Sequence, residues 1–138
     1  NPWNKDLIRV WDLAEKNKNV FRLGFVPTED LVSLYNSAIL FVMPSIYEGF
    51  GLPILEAMSC GCPVVASQGG SLTEVVGEAG KYIDPYDIES ISKGISEVFN
   101  SLSLQKELSQ KGIINSKKFT WRKTAEETMK TYRSVVFD

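Results

Sequence analysis

Ile39-Leu40-Phe41-Val42-Met43-Pro44-Ser45-Ile46-Tyr47-Glu48-Gly49-Phe50-Gly51-Leu52-Pro53-Ile54-Leu55-Glu56, residues 39–56, is the stretch on which the fold turns. Ile39 to Met43 is continuously apolar and is stopped by Pro44-Ser45, which predicts a strand buried on both faces of a parallel sheet. A glycine-rich turn follows at Gly49 and Gly51. Pro53 suits the first turn of a helix, along which Leu55, Met58 and Ser59 lie until Gly61. In open parallel sheets, ligands gather where the carboxyl end of a strand meets a helix N-terminus, because unpaired amides point outward there. Glycines at 49 and 51 let the backbone approach a bulky anion, and the amides of Phe50, Gly51 and Leu52 are candidates to face phosphate oxygens. The same turn also reads as a plain connection between two elements.

Two carboxylates flank that turn. Glu56 lies about one helical turn beyond Leu52, so its side chain can reach back over the same pocket and accept two hydrogen bonds from a vicinal diol such as a ribose. Glu48 precedes the turn, close to where a sugar attached to the phosphate would lie. Each is alternatively a solvated charge, the common fate of Glu. Their placement on either side of one phosphate-type turn favours a shared ligand.

Working outward, Leu7, Val10, Trp11 and Ala14 share one helix face. Val20 to Phe25 then reads as a short buried strand, ended by Val26-Pro27. Thr28 is placed to cap a second helix, with Glu29 and Asp30 in its electropositive first turn and Leu31, Leu34, Tyr35 and Ala38 on its apolar face. Beyond Gly61, Pro63-Val64-Val65-Ala66 predicts another strand, Ser67 to Ser71 a loop, Thr73 to Val76 a brief helix and Lys81 to Ile83 a strand. From Asp87 onward only helices follow. One is marked by Ile88, Ile91, Ile95, Val98 and Phe99, a second by Leu104 and Leu108, and a third, entered through Thr120, by Trp121, Ala125, Met129, Tyr132, Val135 and Val136. Alternating strands and helices specify an α/β fold with a parallel sheet. Four strands are fewer than the five or six usual in a doubly wound domain. A further strand and helix are expected on the N-terminal side, and the missing initiator Met points to a fragment of a longer protein.

A chain of 138 residues with 43% apolar and 23% charged residues matches one globular domain. Its net charge of -2 and the absence of Lys/Arg runs at the termini argue against nucleic acid as a partner. No stretch approaches the ~20 apolar residues that cross a bilayer, and Asn1 to Lys5 lacks a signal-peptide core, so a cytoplasmic protein is expected. Cys60 and Cys62 are too close in sequence for normal disulfide geometry and are expected as free thiols packed at a helix end. With no histidine, Cys/His zinc sites and Ser-His-Asp triads are excluded. Trp3, Trp11 and Trp121 read as core or domain-edge anchors. Lys111, Lys117 and Lys118 read as a solvated helix face in preference to a lipid-contacting one.

These residues carry a resemblance. Leu23-Gly24-Phe25-Val26-Pro27, the strand Leu40 to Pro44, Glu48-Gly49-Phe50-Gly51-Leu52-Pro53-Ile54-Leu55-Glu56-Ala57-Met58, Gly61-Cys62-Pro63-Val64-Val65-Ala66-Ser67 and Glu74-Val75-Val76-Gly77 together resemble family 4 of the retaining glycosyltransferases. The likeness is to the C-terminal Rossmann-like, donor-binding domain of the GT-B fold and covers nearly the whole chain. It implies retaining, metal-independent transfer of a sugar from a nucleoside-diphosphate donor, UDP- or GDP-linked, to a glycan, lipid-linked or small-molecule acceptor, with no cofactor. By matching positions, Glu48 would contact donor sugar hydroxyls or assist the reacting centre. The amides after Gly49, through Phe50, Gly51 and Leu52, would hold sugar and phosphate. Glu56 would bind the ribose, the backbone at Phe25 and Val26 would meet the nucleobase, and Gly69-Gly70-Ser71-Leu72 would lie near the pocket.

One departure matters. The family's Arg and Lys that neutralise the diphosphate come from an earlier strand-loop-helix unit that Asn1 to Asn19 does not match, and the acceptor-binding N-terminal domain is also missing. Charge-assisted hydrogen bonds contribute ~1.5 to 3 kcal/mol each, so this fragment is expected to bind donor weakly and to turn nothing over alone. The partners expected are the donor and that absent domain, with peripheral membrane contact open to the parent protein. In the family the last helix crosses to the partner domain. Trp121 to Val136 is therefore expected to expose an apolar face and drive self-association, which light scattering would detect. A non-catalytic nucleotide-sugar-binding module is the alternative. A receiver-type signalling domain would need an acidic cluster after the first strand and a late Lys, and neither is visible.

Overall fold

Val64, Val65, Ala66 and Ser67 are all fully buried, and they form the middle strand of the sheet. The computed structural model describes the backbone of residues 5–136 and the side chains of residues 9–135. Trp3 and the side chains of Leu7 and Val136 therefore lie outside the described residues. Along the chain run α1 (Lys5–Lys16), α2 (Thr28–Ser37), β1 (Phe41–Met43), α3 (Leu52–Ser59), β2 (Val64–Ser67), α4 (Leu72–Val76), β3 (Gly80–Ile83), α5 (Ile88–Phe99), α6 (Leu102–Ser116) and α7 (Trp121–Val136). The sheet order is β1-β2-β3, all parallel, with Val42 opposite Val65 and Val65 opposite Lys81.

The two-residue period of a strand sends alternate side chains to opposite faces, and β2 uses both. Val64 and Ala66 pack with Ile54, Met58, Leu72 and Val76 beneath α2, α3 and α4. Val65 packs with Ile83, Val98 and Leu108 beneath α5 and α6. A strand covered on both faces has no solvent side to keep polar, which is why its sequence is apolar without alternation.

Local chemistry sets the boundaries. Asp87 caps α5 by accepting from the Glu89 amide at 2.9 Å, Ser101 caps α6 through Leu104 N at 3.2 Å, and Thr120 caps α7 through Lys123 N at 3.1 Å. The end of α3 is closed by bonds from Cys62 N to Ala57 O at 2.9 Å and from Gly61 N to Met58 O at 3.0 Å. That paired closure needs Gly61 in the left-handed region, at φ 74. Cys60 and Cys62 are free thiols at this helix end. Asn115 on α6 is buried and donates to Val75 O at 2.7 Å and Val76 O at 3.4 Å, satisfying carbonyls at the end of α4. Its own Oδ1 accepts from Lys118 Nζ at 3.2 Å.

Four expectations are corrected. Val20 to Phe25 is irregular, not a buried strand: it pairs with no strand among the described residues, and Phe21 and Phe25 are 77% and 93% exposed. A parallel strand depends on a ladder neighbour and on cover over both faces, and this segment has neither. For the same reason β1 is an edge strand, shorter than Ile39 to Met43 and only half-buried. Thr28 is the first residue of α2, behind Pro27, and its side chain makes no cap bond. Trp11 and Trp121 are exposed, which removes the core placement and leaves the domain edge open to them; Trp11 carries the Arg22 guanidinium 4.6 Å above its ring. The whole of α7 from Trp121 to Val135 is exposed, with Trp121, Met129, Tyr132 and Val135 uncovered.

Candidate functional site

Parallel strands bring their carboxyl ends to one edge, so the segments after Met43, Ser67 and Ile83 meet there. Two of them are bonded together. Ser67 Oγ donates to Ser45 O, and Ser71 reaches Glu48 O twice, from its amide at 3.3 Å and from its hydroxyl at 3.2 Å. The approach is so close that a Cβ on Gly69 would sit 2.1 Å from Ile46 O, and one on Gly70 would sit 2.4 Å from Glu48 O. Gly69 and Gly70 are thus what lets the two loops touch.

Within this clamp Glu48 is half-buried, and Ser45 Oγ donates to its Oε1 at 2.8 Å. The following residues divide their work. Gly49 is exposed, and a Cβ there would meet nothing within 4 Å, so open space lies over it. Gly51 is buried, at φ 96, with its missing Cβ place 2.7 Å from Leu72 Cδ2. Its lack of a side chain serves the packing of α4 and the left-handed start of α3. The amides of Phe50, Gly51 and Leu52 have no protein acceptor among the described residues. They precede the first turn of α3, whose dipole adds partial positive charge. Phe50 is fixed edge-on against Phe119, with ring centroids 5.9 Å apart.

Glu56 lies on the outer face of α3, where its Oε2 accepts from Tyr35 Oη at 3.3 Å. It also lines a groove of about 400 Å³ with Phe50, Leu52, Lys117, Phe119 and Trp121. A second cleft, about 580 Å³, opens over the ends of β2 and β3 between Ile46, Gln68, Gly69, Asp84 and Tyr86. Phe25 and Val26 line a separate depression of about 450 Å³ with Leu23, Asp30 and Leu34 of the α2 side. The structure therefore gathers Glu48, Gly49, Phe50, Gly51 and Leu52 on one rim and sets Glu56 one helical turn behind it. Among the described residues, Phe25 and Val26 line a depression that holds neither carboxylate.

Several residues of the site were not legible beforehand. Ser45 and Ser67 act by holding backbone and carboxylate in place, as does Ser71, whose loop alone was expected near the pocket, and lone serines in loops give no signal of that bonding. The Gly69-Gly70 pair was the available clue. Tyr35 read only as part of an apolar face.

Comparison with known proteins follows the same geometry. The family described as glycosyl transferases group 1 matches residues 1–132. The O-antigen chain mannosyltransferase B of Escherichia coli is 44% identical over 134 residues, covering 95% of this chain and 35% of that protein. Among solved structures, the sucrose-phosphate synthase of Thermosynechococcus elongatus superposes with a TM-score of 0.82 at 28% identity, over 98% of this chain and 36% of that one. The C-terminal domain of a glycosyl transferase group 1 family protein from Francisella tularensis gives 0.68 at 27% identity, over 83% of this chain and 60% of that one. The chain thus spans about a third of the length of the E. coli relative. The architecture is that of the Rossmann-like C-terminal half of GT-B glycosyltransferases, in part.

Proposed function

The chain belongs to the glycosyl transferases group 1 family, and from that premise we propose that it binds a nucleoside-diphosphate sugar across the rim from Glu48 to Glu56 and serves a retaining, metal-independent glycosyl transfer. The observation that carries this reading is the run of unpaired amides at Phe50, Gly51 and Leu52 in front of α3, flanked by two hydroxyl-held carboxylates. Amides at a helix start favour a diphosphate through both hydrogen bonding and the helix dipole. They would also stabilise the charge that grows on the leaving phosphate as the glycosidic bond breaks. Open space over Gly49 leaves room for the sugar beside Glu48, whose free Oε2 can accept from its hydroxyls. Glu56 takes the ribose diol, and the backbone at Phe25 and Val26 is assigned to the nucleobase from the separate depression that it lines.

The name of the E. coli relative supports a mannosyl donor, GDP- or UDP-linked. A growing polysaccharide is then the acceptor that fits best. No helix among the described residues is long and apolar enough to cross a membrane; the cytoplasmic setting is part of the proposal. Transfer itself is assigned to this domain acting with a second, acceptor-binding one, so the chain alone is expected to bind donor weakly and to show no turnover.

Saturation-transfer NMR of the chain against GDP-mannose, UDP-glucose, UDP-N-acetylglucosamine and dTDP-rhamnose, with Glu56→Ala beside it, tests the reading. Transfer to ribose and base protons of one nucleotide, weakened but still titratable in the variant, is the expected result. A folded wild type silent towards all four would refute donor binding by this chain.

A further inference from the structure

We propose that Tyr35 is a positioning residue for Glu56: its hydroxyl holds one carboxylate oxygen and thereby aims the other at the donor ribose, a role that rests on the donor reading above. Three observations carry it. The Tyr35 ring is 8% exposed and packs edge-on against Phe41, with centroids 5.6 Å apart and planes 80° apart, so the ring is a fixed post. Its hydroxyl is directed out of the core to Glu56 Oε2 at 3.3 Å, across 21 residues of sequence and from one helix to another. Glu56 stands on the exposed face of α3, and the bonds it receives from Ser59 Oγ at 2.8 Å and Cys60 N at 3.2 Å go to its backbone carbonyl, so among the described residues Tyr35 alone holds its carboxylate. A Glu on a solvated helix face otherwise wanders among rotamers.

A hydroxyl in this position needs an explanation that packing does not supply. Phe at 35 would fill the same core volume, and a phenol at the rim of a core loses water unless it finds a partner. Glu56 is that partner. A carboxylate has about four lone-pair sites, so accepting one bond at Oε2 leaves Oε1 free for a diol while fixing the plane in which it lies. Burial, followed by the Glu56 charge and the hydrogen bond to it, pushes the Tyr35 phenol up to about 12. It therefore remains a protonated donor until the pH approaches 12.

The test is a double-mutant cycle on the chain, with GDP-mannose and UDP-glucose as probes and binding followed by NMR titration. Tyr35→Phe keeps the ring and its contact with Phe41, and folding of each variant is checked by its ¹⁵N spectrum. Tyr35→Phe is expected to weaken nucleotide binding by roughly 3- to 10-fold, as loss of one orienting hydrogen bond implies. The effect should vanish when Glu56 is already Ala. Restoration of binding in no other background is needed, because a purely structural Tyr35 would weaken both backgrounds alike, and that result overturns the proposal. Unchanged binding in Tyr35→Phe overturns it as well. Silence of the wild type towards both nucleotides refutes the donor reading and this role with it, whereas wild-type binding with an unaffected Tyr35→Phe removes the positioning role alone.

Discussion

Gly69 and Gly49 are both glycines of the candidate site, and alanine should injure the chain in opposite ways at the two. At Gly69 the new Cβ would lie 2.1 Å from Ile46 O, 2.7 Å from Ile46 C and 3.0 Å from Ser45 O, all backbone atoms. Bringing the shortest of these from 2.1 to 3.0 Å parts the loops by at least 0.9 Å. That movement stretches the bonds of Ser67 to Ser45 O and of Ser71 to Glu48 O. Overpacking costs about 1 to 3 kcal/mol, and each bond contributes about 1 kcal/mol net. Because the loops relax in part, a loss of about 2 to 4 kcal/mol is expected, which lowers the melting temperature by roughly 6 to 20 °C for a domain of this size. At Gly49 a Cβ meets nothing within 4 Å and φ is not left-handed. Stability should change there by under about 0.5 kcal/mol, while nucleotide binding falls about tenfold because the methyl enters the space assigned to the sugar. Circular dichroism melts and NMR titration with GDP-mannose measure the two quantities. A Gly69→Ala chain that melts with the wild type would refute the clamp. A Gly49→Ala chain that binds as the wild type does would refute the placement of the donor.

Asn115→Leu takes the amide donor from the Val75 carbonyl at the end of α4, while the Val76 carbonyl keeps its bond from Ala79 N at 3.0 Å, and urea denaturation should show a loss of about 1 to 3 kcal/mol, the cost of one buried unsatisfied group. A loss under 0.5 kcal/mol would mean that water replaces the amide, on the scale of ordinary surface substitutions. The folded chain holds the Tyr35 proton more tightly than the unfolded chain does, with the phenol raised to about 12 from 10.0. That contribution is complete below about pH 10 and is lost as pH rises towards 12. Tyr35→Phe should flatten this part of the stability profile between pH 9 and 12, and an identical alkaline slope in both chains would contradict the assignment. Burial, with Cys60 beside it, pushes the Cys62 thiol up to about 11, so a thiol reagent at pH 8 should modify half-exposed Cys60 first. Mass spectrometry of the singly labelled chain reads the order, and equal labelling of the two would count against it.

The pattern of the chain was enough for every element that closes its hydrogen bonds locally or buries an uninterrupted apolar run. Helices α3, α5, α6 and α7, the strands β2 and β3, and the turn between Glu48 and Glu56 all follow from periodicity, proline and glycine within a few residues of each other. The same local signals marked that turn as the place for a ligand, since the unpaired amides of a helix start belong to the helix itself. Val20 to Phe25 shows the limit. Its composition is that of a strand, yet a strand exists only where a neighbour offers a ladder, and a residue-by-residue reading contains no neighbour. The loops divide along the same line. Contacts of Ser67 with Ser45, of Ser71 with Glu48 and of Tyr35 with Glu56 join residues 21 to 23 positions apart, and nothing in a lone hydroxyl names its partner. Short-range physics placed the two carboxylates near one turn. Only the packing of α2 against α3 and of one glycine-bearing loop against another decided which oxygen each carboxylate leaves free.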